Sequence, residues 1–407
     1  MKFRHRLGSV GWTLCLVLAG AVRSWAQIDP ESRRLLQLGY DQPVEGKSPL
    51  AGYAFYYWNE PGVWRTNLTL RLVVAPVYLE SELGARSLLG PNTDFGLGVQ
   101  GGGYADSHAE IRQGHYYQEE SFTGHGGDLS GSIYHRFNPE QRVPLHGMLR
   151  AGVHYTEYSA GRHTSPTFVM PADEPSLHVR GGLRWGGIEP VLHPALAMEL
   201  SGWYDGRVHG EELAFGYAGD RRVEAAAHLF WARALLAYTL PQNRIGWQVG
   251  FTMGTSLNAS RLDAFRLGGS LPFASELPLD LPGYYFQELS ARRFLQFSGK
   301  ALLPINPRKT WNLSLHAATA LIDYTAGFDQ PGSWHSGGGG GLIYRSAKGG
   351  WQVAAGYAYG IDALRSDGRG AQSVSILIQY DFTSGEGFFV PGFHPTKWRG
   401  FDRLFRR

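Results

Sequence analysis

Val374-Ser375-Ile376-Leu377-Ile378-Gln379-Tyr380-Asp381-Phe382 is the stretch on which the fold turns. Val374, Ile376, Ile378, Tyr380 and Phe382 fall on one face, and Ser375, Gln379 and Asp381 oppose them. Successive side chains of a β-strand point to opposite faces, so this period of two predicts a strand with one apolar and one polar side. The same alternation returns upstream. Trp351, Val353, Ala355, Tyr357 and Tyr359 oppose Gln352, Ala354, Gly356, Ala358 and Gly360. Ile245, Trp247, Val249, Phe251 and Met253 oppose Gly246, Gln248, Gly250, Thr252 and Gly254. Leu145, Leu149, Ala151, Val153 and Tyr155 oppose His146, Arg150 and His154.

Weaker versions of the pattern predict strands near 51–58, 64–78, 94–105, 127–137, 175–186, 195–205, 223–239, 295–305, 311–323 and 338–346. That makes about 14 strands; 223–239, which changes phase near Phe230-Trp231, is one bulged strand or two, so 16 stays possible. Short connections alternate with long ones from about residue 106 onwards, among them 106–122, 159–173, 206–221, 259–294, 324–337 and 361–372. Tight turns on one side and large loops on the other mark a spanning barrel. The predicted fold is all-β: a transmembrane antiparallel β-barrel of 14–16 strands. Closure satisfies every backbone hydrogen bond in lipid. Trp58, Trp64, Trp185, Trp203, Trp247, Trp311 and Trp351 fall near predicted strand ends, as interfacial girdles would.

The ends and the composition set further bounds. Residues 1–26 read as a secretory signal peptide. Lys2, Arg4, His5 and Arg6 precede a mostly apolar Val10–Val22 run, and Ser24-Trp25-Ala26 offers a cleavage site. Residues 27–47 read as a short periplasmic segment, 48–382 as the barrel, and 383–407 as a basic, aromatic periplasmic tail. The one cysteine, Cys15, lies inside the signal peptide, which excludes disulfides, thiolate metal sites and a cysteine nucleophile in the mature chain. A net charge of +3 gives no ground for nucleic-acid binding.

Bases crowd the predicted inner face: Arg71, His146, Arg150, His154, Arg180, Arg184 and His316. They read as an electropositive lumen that attracts anions, or as ordinary polar filling. His115, His125, His135 and His146 show no metal-ligand spacing, and no metal or cofactor is expected. No Gly-x-Ser-x-Gly elbow is present, and the chain is read as a non-enzyme.

Phe265-Arg266-Leu267-Gly268-Gly269 matches a Phe-x-Leu/Ile-Gly-Gly segment, and Leu281-Pro282-Gly283-Tyr284 is similar to a Val/Ile-Arg-Gly-Phe/Tyr motif. A strand ending on Leu302-Leu303-Pro304-Ile305 follows, then Ala320-Leu321-Ile322-Asp323 with Gly327, then three strands closing on the aromatic Phe382. In this order the segments resemble the C-terminal third of the BamA/TamA superfamily of outer-membrane barrels, the assembly-factor and bacterial surface-antigen group. The resemblance covers 265–382, and the first half only by barrel pattern.

The resemblance implies that loop 259–294 is a sixth surface loop folded back into the lumen. Its motif residues would be Phe265, Leu267, Gly268, Gly269, Pro282, Gly283 and Tyr284. In that family the motif's arginine binds an acidic residue of the wall. Pro282 stands in that arginine's place here, Asp323 is the candidate wall contact, and Arg292 or Arg293 the candidate substitute. Gly337–Gly341 would let the loop approach the wall, or let strands bend. The family's periplasmic POTRA domains have no room in 27–47. Implied location is the bacterial outer membrane. Implied function is inserting or translocating proteins or lipids there. Implied partners are outer-membrane lipid, nascent outer-membrane or secreted proteins, and a periplasmic protein reached through 383–407. Two other readings stay open: a diffusion channel or small-solute transporter with a basic lumen, and a structural surface-antigen barrel.

Overall fold

A computed structural model describes residue 28 and residues 32–141, 143–187, 196–270, 277–347, 350–366 and 368–382. The signal peptide, the 383–407 tail and loop residues 271–276 lie outside the described residues.

The chain is a closed, sixteen-stranded antiparallel β-barrel. The wall runs β1 (Arg33–Pro43), β2 (Gly52–Pro61), β3 (Leu68–Ala75), β4 (Tyr78–Ala85), β5 (Thr93–Gly102), β6 (Phe122–Arg136), β7 (Leu145–Ala160) and β8 (Glu174–Gly187). It continues with β9 (Leu196–Val208), β10 (Ala226–Thr239), β11 (Gly246–Leu257), β12 (Leu289–Pro304), β13 (Trp311–Tyr324), β14 (Trp334–Arg345), β15 (Trp351–Arg365) and β16 (Gly368–Asp381). Each strand pairs with its sequence neighbour, and β16 returns to β1 through nine registered pairs from Leu35↔Asp381 to Pro43↔Ser373. No edge is left to seek another strand. Among the described residues no helix is long and apolar enough to cross a membrane; the strands cross it.

The predicted outer faces are the observed ones. Leu129, Leu149, Val153, Val249, Met253, Tyr357, Val374 and Ile376 stand exposed on the outer wall. Their neighbours Ser130, His146, Gln248, Thr252, Ser373 and Gln379 are buried inside. Such an apolar exterior is stable only against lipid.

Four readings are revised. The segment 27–47 is not simply periplasmic, since it supplies β1. Its alternation is masked because Leu35 points inward and Leu36 does not, so both faces carry leucine. No separate strand was predicted between those at 64–78 and 94–105, yet β4 lies there, joined to β3 by Pro76-Val77 alone. These two missed strands raise the count from 14 to 16. Of the 223–239 stretch, read as one bulged strand or two, residues 226–239 form one regular wall strand. Its apparent change of phase arises because Leu229, Trp231, Leu235 and Ala237 make the inner face apolar too. Finally, 361–372 is no long loop, because β15 and β16 extend until two residues separate them.

Candidate functional site: the filled lumen

Loop 258–288, between β11 and β12, is the sixth connection at its end of the barrel, counting from the one between β1 and β2, and its described residues pack inside the barrel. Phe265–Leu267 forms a short strand against Leu289–Ala291 at the start of β12. Phe265 packs edge-on to Phe294 at 5.0 Å, within a cluster that includes Leu229, Trp231, Leu279, Leu281 and Tyr284. The apolar inner face of β10 therefore has a partner, and that partner is the loop. Gly268 donates its N–H to Leu279 at 3.0 Å, and Leu281 donates to Gly269 at 3.0 Å, so the two glycine-bearing segments close on each other.

Glycine is required at the contact with the wall. Gly283 has φ +84°, and a Cβ there would collide with the backbone of Gly360 on β15. A Cβ on Gly337 would strike the carbonyl of Pro282. The first glycine of the Gly337–Gly341 run thus admits the loop, as one of its two readings anticipated. Tyr284, fully buried, lies 3.2 Å from His335 Nδ1 of β14 through its hydroxyl. All seven predicted loop-motif residues are brought together.

The predicted wall contact is not where the resemblance put it. Asp323 faces outward, half exposed, and pairs with Arg292 at 2.8 Å across neighbouring strands. Strand parity decides this: Asn312, Ser314, His316, Ala318, Ala320 and Ile322 take the inner face of β13, which leaves Asp323 outside. The pinning ion pair runs the other way round. Glu288, at the loop's end, receives both guanidinium nitrogens of Arg365 from β15 at 2.9 and 3.1 Å. Both partners are buried. Tyr285 lies under the Arg365 guanidinium at 3.7 Å and donates its N–H to Glu288 at 2.7 Å. Burial raises the Glu288 carboxyl pKa, and the Arg365 charge opposes that rise. The loop also ties to the closing strand: Ser270 donates its N–H to Asp41 of β1 at 2.7 Å.

Beside the loop remains a cavity of about 1250 Å³, walled mainly by β2–β10. Arg71, Arg150, Arg180 and Arg184 line it, as predicted. The wall is nevertheless of mixed charge. Arg71 pairs with Glu80 at 2.7 Å and Glu82 at 3.0 Å, and Arg150 reaches Glu82 at 3.3 Å. Arg180 lies over the rings of Trp203 and Trp231, which stack at 5.4 Å. Trp203 thus belongs to the lumen and not to a girdle, because Leu200 takes the outer phase of β9. The sequence reading missed Glu80 and Glu82 because β4, which carries them, was not predicted.

One group of potential ligands lies apart from the four histidines whose spacing was read in the sequence. Asp128, His154 and His178 converge, with one ligand atom from each within 4.8 Å of the others. They sit on three consecutive strands, so no local spacing reveals them. Only the hairpin registers do.

The surface loops form a cap over this cavity. A small sheet of 168–169, 213–217 and 221–223 encloses Phe122, Phe168, Phe215 and Val223. Glu110, wholly buried, binds Arg261 of the sixth loop, lies 2.8 Å from His108 and 3.6 Å from Arg221. Burial would push the Glu110 carboxyl up, but the His108 hydrogen bond and the Arg261 and Arg221 charges hold it at about 2. At the opposite end of the barrel Phe382 packs on Tyr380 at 4.7 Å and on Tyr56 of β2 at 5.8 Å, over the closing pair of strands.

No protein-family model matches the sequence. Nor does any curated protein match it. Solved structures do match the fold. BamA from Haemophilus ducreyi, solved without POTRA domains 1–3, superposes with a TM-score of 0.55 at 9% identity, over 86% of this chain and 70% of that one. CdiB from Acinetobacter baumannii gives 0.53 at 11% identity, over 86% of this chain and 60% of its own length. CdiB from Escherichia coli gives 0.53 at 12%, over 86% and 63%. The chain spans less than two thirds of either CdiB. At these identities the likeness is one of fold: the chain has a barrel like that of BamA and CdiB.

Proposed function

We propose that the chain works in the bacterial outer membrane as a barrel that inserts or translocates other proteins or lipids, without covalent chemistry of its own. The observation that carries this reading is the sixth loop, which packs into the lumen against the inner face of β10 and is pinned at Ser270 and Glu288. A loop buried in the bore narrows any path for free diffusion. The family resemblance of 265–382 and the BamA-like and CdiB-like fold support the same reading. The runner-up, a solute channel, draws on the 1250 Å³ polar cavity beside the loop.

One reconstitution separates the two. Liposomes carrying the folded barrel receive a urea-denatured outer-membrane protein, and folding of that substrate is followed by protease protection. In parallel, their swelling in small sugars is measured. The proposal expects faster substrate folding than in empty liposomes, with slow swelling. Fast swelling without any folding acceleration would favour the channel.

A further inference from the structure

We propose that the lumen wall carries a mononuclear site for a first-row divalent transition metal, built from Asp128, His154 and His178. The placement comes from the β-ladder. Asp128 of β6 lies opposite His154 of β7, and His154 opposite Ser176 of β8. His178 is the next residue of β8 on the same face. The neighbours Leu129, Val153 and Leu177 are exposed on the outer wall, which leaves the three ligands to the lumen. All three line the large cavity. Side chains held by a rigid wall need less ordering to bind than side chains on loops.

The chemistry selects the ion. Two imidazoles and one carboxylate suit Zn²⁺, Ni²⁺, Cu²⁺ or Fe²⁺, whereas Mg²⁺ and Ca²⁺ want oxygen ligands. Ligand atoms of a tetrahedral zinc centre lie about 3.3 Å apart, given bonds near 2.0–2.1 Å. The three here lie within 4.8 Å of one another; to share an ion, the two imidazoles, which stack at 4.8 Å with planes 11° apart, turn out of that stack, because a ligated ion lies in the plane of each ring. Three protein ligands leave a coordination position open towards the cavity.

Neighbouring groups orient the ligands as outer-shell partners do. Asp106 Oδ2 lies 2.8 Å from His154 Nε2, and Thr156 donates its hydroxyl to the same carboxylate at 2.8 Å. Ser176 Oγ lies 3.1 Å from His178 Nε2. Asp106 belongs to the loop after β5, so an ion here would also couple the cap to the wall.

The test uses untagged full-length mature protein, folded in detergent and stripped with a chelator. Zn²⁺ is titrated against a chromophoric competitor, and Co²⁺ absorption reads the ligand set. A single equivalent of Zn²⁺ should bind, Mg²⁺ should not compete, and Co²⁺ should give nitrogen-ligated bands. His154→Ala with His178→Ala should abolish binding in a barrel that remains heat-modifiable. Should that double variant fail to fold, His154→Gln alone decides by the same loss. Asp106→Asn should weaken binding about tenfold or more; no change there overturns the role given to Asp106. Absence of Zn²⁺ binding by the unaltered protein, or binding unchanged without the histidines, overturns the site.

Discussion

Glu288 and Arg365 show what a single side-chain pair does in this lumen. The pair is buried and bidentate, so removing one partner strands the other charge away from water. Breaking such a pair typically costs about 3–5 kcal/mol. Arg365→Gln should therefore lower the urea midpoint of the folded barrel by a corresponding amount and free the end of the sixth loop. Glu288→Gln combined with Arg365→Gln should recover part of the loss, because no lone charge is left buried. Equal midpoints for Arg365→Gln and the unaltered chain would remove the pair from the account. The sequence signalled that something must replace the arginine missing at Pro282, and the resemblance looked for a base near the loop. It could not show that the charges had exchanged sides, since Arg365 and Glu288 meet only through the barrel's closure.

At the scale of elements, the cap and the closing strands make separate predictions. Glu110 titrates in the folded cap at about 2, against an ordinary 4.5. A depressed carboxyl value stabilises the cap fully above about 4.5, and that contribution is lost as pH falls through about 2. Amide hydrogen exchange of loop 103–121, corrected for its intrinsic pH dependence, should accelerate across that window and not above it. Glu110→Gln should exchange fast already at neutral pH and lose the acid step. A flat profile in the unaltered protein would contradict the assigned network. Phe382 predicts something different. Its ring spans the closing pair to reach Tyr56, so Phe382→Ala should slow the appearance of the heat-modifiable form, while truncation after Phe382 should leave it intact. The reverse outcome would misplace the functional end of the last strand. Strand existence was legible in β7, β11, β15 and β16, where a polar lumen face alternates with an apolar outer one; β4 was missed although Glu80 and Glu82 make its lumen face polar. The alternation was lost where both faces carry leucine, as in β1, and blurred in β10, where an inserted loop makes the inner face apolar. In each case long-range packing determines the pattern that local alternation reports.

The whole molecule is a closed wall with its bore filled from within. The wall was readable because lipid outside and polar groups inside impose a period of two on nearly every strand. The filling was readable only through the motif resemblance of 265–284, and the convergence of Asp128, His154 and His178 not at all. The central claim is that the sixth loop occludes the lumen. Single-molecule conductance in planar bilayers tests it most directly, with the full mature chain compared with a variant lacking Ser270–Tyr285, both confirmed as folded barrels. The account predicts small, flickering currents for the full chain and large, steady steps for the deletion. Large, steady steps in the full chain, or equal conductance in the two, would contradict it.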